Sequence, residues 1–145
     1  MPDFDFTFGQ RERALCFMAE RTGLGREDLA FDMQTFSAIE TATDTIRAVI
    51  GVNAVYDRQC RLHIATDGSK RWFRRDGCRS LFNFLFDALD LRRVNCFVSV
   101  DSPHLQILCI KLGFRPEATI ACGMHDGSDA ILFRMLAKEC PWISS

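Results

Sequence analysis

A basic loop between a strand and a helix is the feature that most constrains this sequence. Residues 70–79 read KRWFRRDGCR, which places five basic residues among ten in a chain of 145 residues with a formal net charge of −1. A strand-like run, residues 60–66, precedes the loop, and an apolar helix, residues 81–89, follows it. A helix N-terminus offers unpaired N–H groups and the positive end of a dipole. This order of elements therefore predicts a phosphate-binding cradle.

A solvated surface turn is the alternative interpretation of this loop. Charged runs of this kind are common on exposed surfaces. The placement between a strand and a helix favours anion binding over that alternative. We interpret Trp72 and Phe73 as packing residues rather than as a platform for stacked bases.

The length and composition predict a single domain over residues 1–145. The seven cysteines form no CxxC pair and their number is odd, so neither a disulfide framework nor a zinc module is expected. The near-neutral charge disfavours binding to nucleic acid, and neither a signal peptide nor a membrane-spanning segment is expected. These features predict a cytoplasmic protein with reduced thiols and no metal.

The first half of the chain predicts two helices and an antiparallel meander. Alternating apolar residues and polar turns mark the strands, and Gly23 is expected to end the first helix. The predicted strands are residues 3–8, 35–41, 45–56 and 60–66, and the predicted helices are residues 10–21 and 26–31.

The second half predicts strand and helix in alternation. Asp76 is a candidate N-cap for a helix reaching Leu89, and Ser102 is a candidate N-cap for a second helix with Pro103 at its first position. Gly113 is expected to end that second helix with a positive φ. The other predicted elements are strands at residues 93–100 and 130–136, with a hairpin turn at residues 125–127. The combination predicts an α/β (α+β) protein with a mixed sheet flanked by helices.

Two segments of the sequence resemble motifs of the GCN5-related N-acetyltransferase (GNAT) superfamily, and the likeness covers nearly the whole chain. Residues 60–66 with the basic loop and the run GCRSLF, residues 77–82, occupy the place of the family's fourth strand and pyrophosphate loop. The runs VSVDSPH, residues 98–104, and KLGFRPE, residues 111–117, look like its strand–helix–KLGF element. The C-terminal run, residues 130–142, is similar to small GNAT-like proteins of bacteriophages and prophages. The resemblance implies the GNAT fold.

The resemblance also implies that acetyl-CoA is the acyl donor. The pantetheine arm would pair with the backbone of the fourth strand around Ile64, Ala65 and Thr66. Loop amides, the helix N-terminus and arginines would hold the pyrophosphate, and Ser102 stands where the family has a helix asparagine. The implied pyrophosphate-binding residues are Arg71, Arg74, Arg75, Gly77, Cys78 and Arg79.

Three residues are candidates for proton transfer, and each has a structural alternative. His63 lies mid-strand and could accept a proton near neutral pH, or it could be a hydrogen-bonded structural histidine. Glu40 lies where the family often places an acceptor-side carboxylate, although an exposed strand-end glutamate is the more common case. Cys109 stands where the family often has a tyrosine acid. It could protonate the leaving thiolate, or it could be a buried apolar residue.

Two functions follow from this resemblance. The first is an acetyl-CoA-dependent N-acetyltransferase in which an amine, on a small molecule or a protein, attacks the thioester directly in a ternary complex. The second is a non-catalytic GNAT-fold binding or virion/accessory protein of phage origin, in host cytoplasm or virion. Arg79, Ser102 and Cys109 depart from the family pattern and favour the second. A homodimer is a further expectation.

Overall fold

Strands and helices fall close to their predicted positions in the computed structural model, which describes residues 2–143. The sequence-predicted order of elements is confirmed. The strands are β1 (Phe4–Thr7), β2 (Gln34–Glu40), β3 (Thr45–Tyr56), β4 (Gln59–Thr66), β5 (Arg93–Ser99), β6 (Arg115–Ile120) and β7 (Ala130–Leu136). The α-helices are α1 (Arg11–Thr22), α2 (Arg26–Ala30), α3 (Arg75–Asn83) and α4 (Pro103–Leu112).

The strands form one mixed sheet of seven, in the order β1-β2-β3-β4-β5-β7-β6. Strands β1, β2 and β3 pair antiparallel, which confirms the predicted meander. Strand β4 pairs parallel with β5, as a strand–helix–strand connection requires. Strand β7 pairs antiparallel with both β5 and β6. The predicted fold class is therefore confirmed.

The chain divides into two units, of which the first comprises residues 2–53 and 63–81. Its core forms where α1 and α2 cover apolar side chains of β2, β3 and β4. The buried residues of this cluster are Ala14, Leu15, Met18, Leu29, Met33, Ile39, Ile46, Val49 and Ala65. A second apolar group is aromatic: Phe6 stacks on Phe4 and Phe36, with ring centroids 6.0 and 6.2 Å apart.

The second unit comprises residues 54–62 and 82–143. Phe82 packs near Phe86 and Phe114, and the Trp142 indole N–H donates to the carbonyl of Leu112 over 2.7 Å. That hydrogen bond ties the C-terminal segment to the end of α4. Whether the two units behave as the predicted single domain stays a prediction.

Turn residues account for several element ends. Gly23 and Gly113 end α1 and α4 with φ of 75° and 107°, and the positive φ expected at Gly113 is confirmed. Asp57 and Arg58 both have positive φ between β3 and β4. This is the two-residue geometry that matches the twist of antiparallel strands.

The start and end of α3 differ from the prediction. The helix begins at Arg75, so Asp76 lies inside the first turn and the prediction that it is the N-cap is wrong. Its carboxylate accepts the N–H of the next residue, Gly77, over 3.0 Å instead of closing the helix end from outside. The helix is α-helical to Asn83 and then continues as a π-helical turn, Phe84–Ala88. Within residues 2–143, no helix is long and apolar enough to cross a bilayer.

Gly77 is buried because α3 approaches β1 closely. A Cβ built on Gly77 would lie 2.5 Å from the Phe6 ring. That separation is shorter than side-chain contacts allow, so a methyl group requires the ring to move. The glycine predicted from the phosphate-loop motif thus has a packing role of its own.

We expect Gly77→Ala to lower the free energy of unfolding by about 1–3 kcal/mol, the usual cost of overpacking. Without a clash, replacing glycine by alanine would stabilise the helix by about 1 kcal/mol. A loss of stability would therefore indicate the clash with Phe6. Urea unfolding monitored by circular dichroism measures it. The loss should disappear in a Phe6→Ala background, and an equal loss in both backgrounds would refute the proposed clash.

Candidate functional site

Two of the five basic residues in the predicted loop are engaged by the protein itself. The Arg71 guanidinium lies 3.2 Å from the Glu40 carboxylate. Arg74 donates to the carbonyls of Pro2 and Arg71 and lies 4.8 Å from the centre of the Phe4 ring. These contacts shape the loop, so they reduce what Arg71 and Arg74 can give to a ligand.

The other three basic side chains of the loop face solvent. Lys70, Arg75 and Arg79 are exposed. Within residues 2–143, their side chains have no hydrogen-bond or ion-pair partner. Arg75 and Arg79 are one turn apart on α3, and Lys70 precedes them in the loop. The result is a cluster of three basic side chains without ion pairs at a helix N-terminus that also carries one carboxylate, Asp76. The net charge there is positive, and a helix N-terminus stabilises an anion.

The amides that the motif assigned to pyrophosphate already have partners. The Gly77 N–H donates to Asp76, and the Cys78 N–H donates to the carbonyl of Arg74 over 3.0 Å. Both bonds belong to the first turn of α3. An anion at this end would therefore meet the three exposed basic side chains and the first helical N–H groups rather than the amides of residues 77 and 78.

Glu40 is buried, not exposed as a strand-end glutamate usually is. Only 6% of its surface is accessible, and its carboxylate lies between the guanidinium groups of Arg71 and Arg47, the latter at 3.5 Å. Arg47 also reaches Asp67 over 3.0 Å, and that hydrogen bond is the main cause that raises the pKa of Arg47. Two arginines on one buried carboxylate favour an anchoring role for Glu40 over the predicted role as a base.

The start of the loop is fixed by short side-chain hydrogen bonds. Asp67 accepts the N–H of Ser69 over 2.8 Å, and Thr66 accepts the N–H of Gly68 over 3.1 Å. Together with the Glu40–Arg71 pair, they hold the loop at its start and at its middle. Sequence reasoning missed Arg47 and Asp67, although an arginine in an otherwise apolar strand was a visible signal.

His63 lies half-buried on β4, with Nε2 2.8 Å from Oδ1 of Asn53. An amide oxygen only accepts, so Nε2 is the donor in this contact. This satisfied ring favours the structural interpretation, and a catalytic role stays a prediction. The predicted pantetheine-binding residues follow on the same strand, with Ala65 buried and Ile64 and Thr66 partly exposed.

The remaining predicted site residues lie on α4 in the second unit. Cys109 is fully buried, and its thiol lies 3.9 Å from that of Cys96. The contact with Cys96 and burial both raise the pKa of Cys109, which suits a packing role. Ser102 occupies the N-cap position as predicted, but its side chain makes no capping hydrogen bond.

A groove of about 650 Å³ lies beside α1 in the first unit. Four carboxylates line it, but three of them already pair with arginines. The paired residues are Arg13–Asp44, Arg26–Glu12 and Arg47–Asp67. This pairing leaves the groove little net charge for a cationic ligand. Across residues 2–143, no three His, Cys, Asp or Glu side chains are placed to hold a metal ion.

Structural comparison finds N-acetyltransferase structures with a similar fold. Mutant forms of the spermidine/spermine N-acetyltransferase SpeG from Vibrio cholerae match with a TM-score of 0.73 and 12% identity, over 93% of this chain and 94% of that one. Spermidine N-acetyltransferase from Vibrio cholerae in complex with CoA and spermine matches with a TM-score of 0.72 and 12% identity, over 94% and 96%. The chain has the GNAT fold.

A third similar structure is the dodecameric spermidine N-acetyltransferase from Vibrio cholerae in an intermediate state. It has a TM-score of 0.69 and 12% identity, over 94% of each chain. No model of a known protein family and no curated protein matches the sequence. At this identity the likeness shows the fold, which confirms the fold implied by the sequence motifs.

We expect Glu40→Gln to release Arg71 and loosen the basic loop. Loss of the buried charged partner should lower the free energy of unfolding by about 1–3 kcal/mol. Tryptic cleavage within residues 67–75 should become faster. Urea unfolding and timed proteolysis with mass spectrometry measure the two effects.

Asp90→Asn is the matched control for Glu40→Gln. It removes the carboxylate of an exposed ion pair, Arg58–Asp90, and should change stability by about 0.5 kcal/mol or less. Unchanged stability and unchanged loop cleavage in Glu40→Gln would contradict the anchoring role. A collapse of acetyl transfer alone would then favour the role as a base.

Thiol labelling tests the burial of Cys109. Of the seven cysteines, Cys16 and Cys122 are exposed, whereas burial raises the pKa of Cys60 to about 12 and Cys109 is fully enclosed. At pH 8 the raised pKa values leave Cys60 and Cys109 protonated, so only the two exposed thiols should react fast with Ellman's reagent. Urea should release the others. If Cys109 in the native protein is labelled as fast as Cys16, its thiol is accessible and the predicted role as an acid would be supported.

Proposed function

We propose that this protein is an acetyl-CoA-dependent N-acetyltransferase that acetylates an amine. The observation that carries the proposal is the set of three unpaired basic side chains, Lys70, Arg75 and Arg79, at the start of α3 in a GNAT fold. The phosphate groups of a coenzyme would supply the negative charge that these three basic side chains lack as ion-pair partners within the protein. The comparison structure bound to CoA and spermine supports the same ligand class.

In this proposal the two groups of basic residues divide the work of binding. Lys70, Arg75 and Arg79 bind phosphate oxygens through charge-assisted hydrogen bonds, together with the first N–H groups of α3. Arg71 and Arg74 hold the loop in the shape that presents them. The pantetheine arm pairs with the backbone of Ile64, Ala65 and Thr66, as the family resemblance implies.

The proposed reaction is a direct acyl transfer. The neutral amine nitrogen attacks the thioester carbonyl carbon, the C–S bond breaks, and the CoA thiolate leaves with a proton while the nitrogen loses one. Binding both reactants in one complex supplies most of the rate enhancement, and backbone N–H groups polarise the carbonyl. His63 remains the proposed proton acceptor, because Glu40 is occupied by two arginines.

The proton for the leaving thiolate need not come from Cys109. The enclosed thiol of Cys109 faces Cys96, so solvent is the simpler source. A non-catalytic GNAT-fold protein of phage origin is the alternative hypothesis. It predicts CoA binding without acyl transfer, or no CoA binding. The cytoplasmic location and the homodimer also stay predictions from the sequence.

Calorimetric titration of acetyl-CoA and CoA at two salt concentrations tests the proposal. We expect binding of both ligands, and weaker binding at high salt because exposed charges are screened. Acetyl transfer from acetyl-CoA is then assayed with a panel of amines. Absence of binding to either ligand would overturn the proposed function and favour a repurposed fold.

We expect the double variant Arg75→Glu, Arg79→Glu to weaken CoA binding by at least about a hundredfold, since each of the two lost charge-assisted hydrogen bonds costs about 1.5–3 kcal/mol. Both side chains are exposed, so thermal stability should hardly change. The matched control is Arg92→Glu, Lys138→Glu, which reverses the same charge at exposed positions elsewhere. Equal affinity loss in both double variants would mean general electrostatics instead of a defined phosphate site.

A further inference from the structure

Four residues of the second unit form one row across its strands. Arg61 on β4 is opposite Asn95 on β5, Asn95 is opposite Arg134 on β7, and Arg134 is opposite Arg115 on β6. Residues in register across a sheet share a face. Three arginines therefore lie in line on one face of these strands.

Three of the four arginines on this face form ion pairs with two glutamates. Glu117 pairs with Arg93 and Arg134, and Glu139 pairs with Arg134 and Arg115. Arg61 has no carboxylate within ion-pairing distance in residues 2–143. The face thus carries more positive than negative charge, and the uncompensated arginine is at its β4 end.

The surroundings of Arg61 are unusual for an unpaired arginine. Its guanidinium lies 4.4 Å from the centre of the Phe97 ring, and its Nε is buried without a hydrogen-bond acceptor. The desolvation of this half-buried group lowers the pKa of Arg61. Most buried donors in native proteins have an acceptor, so this one calls for an explanation, and a bound partner would supply it.

We propose that Arg61 binds a carboxylate of the acceptor, so that the acceptor is an amine that also carries a carboxylate group, as an amino acid or a peptide does. This inference rests on the proposed acetyltransferase function and adds the substrate class. The guanidinium fork matches a carboxylate in a two-point hydrogen bond, and partial burial strengthens that bond. The Phe97 ring supports the fork from one side.

The same charges disfavour a polyamine acceptor. A chain of ammonium groups would meet an uncompensated arginine on this face, and no carboxylate there is unpaired. The acceptor named for the comparison structures, spermidine or spermine, is a polycation. The shared fold and a different acceptor class are compatible because the fold sets the backbone, whereas the acceptor is chosen by side chains.

Paired acceptors test this inference in the full-length protein. Each proteinogenic amino acid and its α-carboxamide is assayed for acetyl transfer from acetyl-CoA, with spermidine alongside. We expect kcat/KM to be about ten- to a hundredfold higher for the acid than for its amide, the value of a charge-assisted hydrogen bond. Transfer to spermidine in preference to every acid, or equal rates for acid and amide, would overturn the inference.

Variants of Arg61 separate recognition from folding. In Arg61→Gln the ratio of kcat/KM for the acid to kcat/KM for its amide should fall towards one, because KM for the acid rises. CoA affinity should stay unchanged. Arg61→Lys should keep part of the preference because it keeps the charge without the fork. Arg58→Gln, at an exposed arginine in the same unit, is the matched control and should keep the full ratio.

A binding measurement keeps the inference testable without turnover. N-acetylalanine, which has the chemistry of a reaction product, and its carboxamide are titrated into the protein with NMR detection. We expect saturable binding of the acid alone, lost in Arg61→Gln. Failure of CoA to bind would refute the proposed function, whereas CoA binding with no preference for the carboxylate would refute only this inference. A phosphate monoester that binds more tightly than N-acetylalanine would also refute it.

Discussion

One buried carboxylate, Glu40, determines the conformation of the loop on which the proposed coenzyme site depends. A buried carboxylate is tolerated only with a compensating partner. Arg47 supplies one from β3, and Arg71 supplies the other from the loop itself. Because Arg47 also binds Asp67 at the end of β4, the strand end and the loop are fixed by a single connected set of charges. The positions of the exposed basic residues follow from this arrangement.

The loop therefore contains two kinds of basic residue that a sequence cannot distinguish. Arg71 and Arg74 contribute to the structure of the loop, whereas Arg75 and Arg79 have no counter-ion in the described chain. A site whose donors are already held in place loses less conformational freedom when the ligand binds. In the proposed coenzyme site, the internal pairs would therefore add to affinity indirectly, through the order they give to the loop.

The sequence predicted the architecture better than the site, for a physical reason. Alternation of apolar residues and the glycine at position 113 are local signals, and they located the strands and the end of α4. The roles of Glu40 and Asp76 depend on contacts that local patterns do not contain. Glu40 is buried because arginines from two distant segments meet there, and Asp76 binds the amide of its neighbour, Gly77.

In the proposed acceptor site, Arg61 would select the acceptor class without a change of fold. Its register opposite Asn95 follows from the parallel pairing of β4 with β5. Strand pairing uses backbone groups, so it does not itself require a charged side chain at this position. Glu117 and Glu139 pair with the other arginines of this face and leave Arg61 without an ion pair among the described residues. An unpaired arginine on an aromatic ring is costly to keep half-buried, and the proposed carboxylate ligand would offset that cost when it binds.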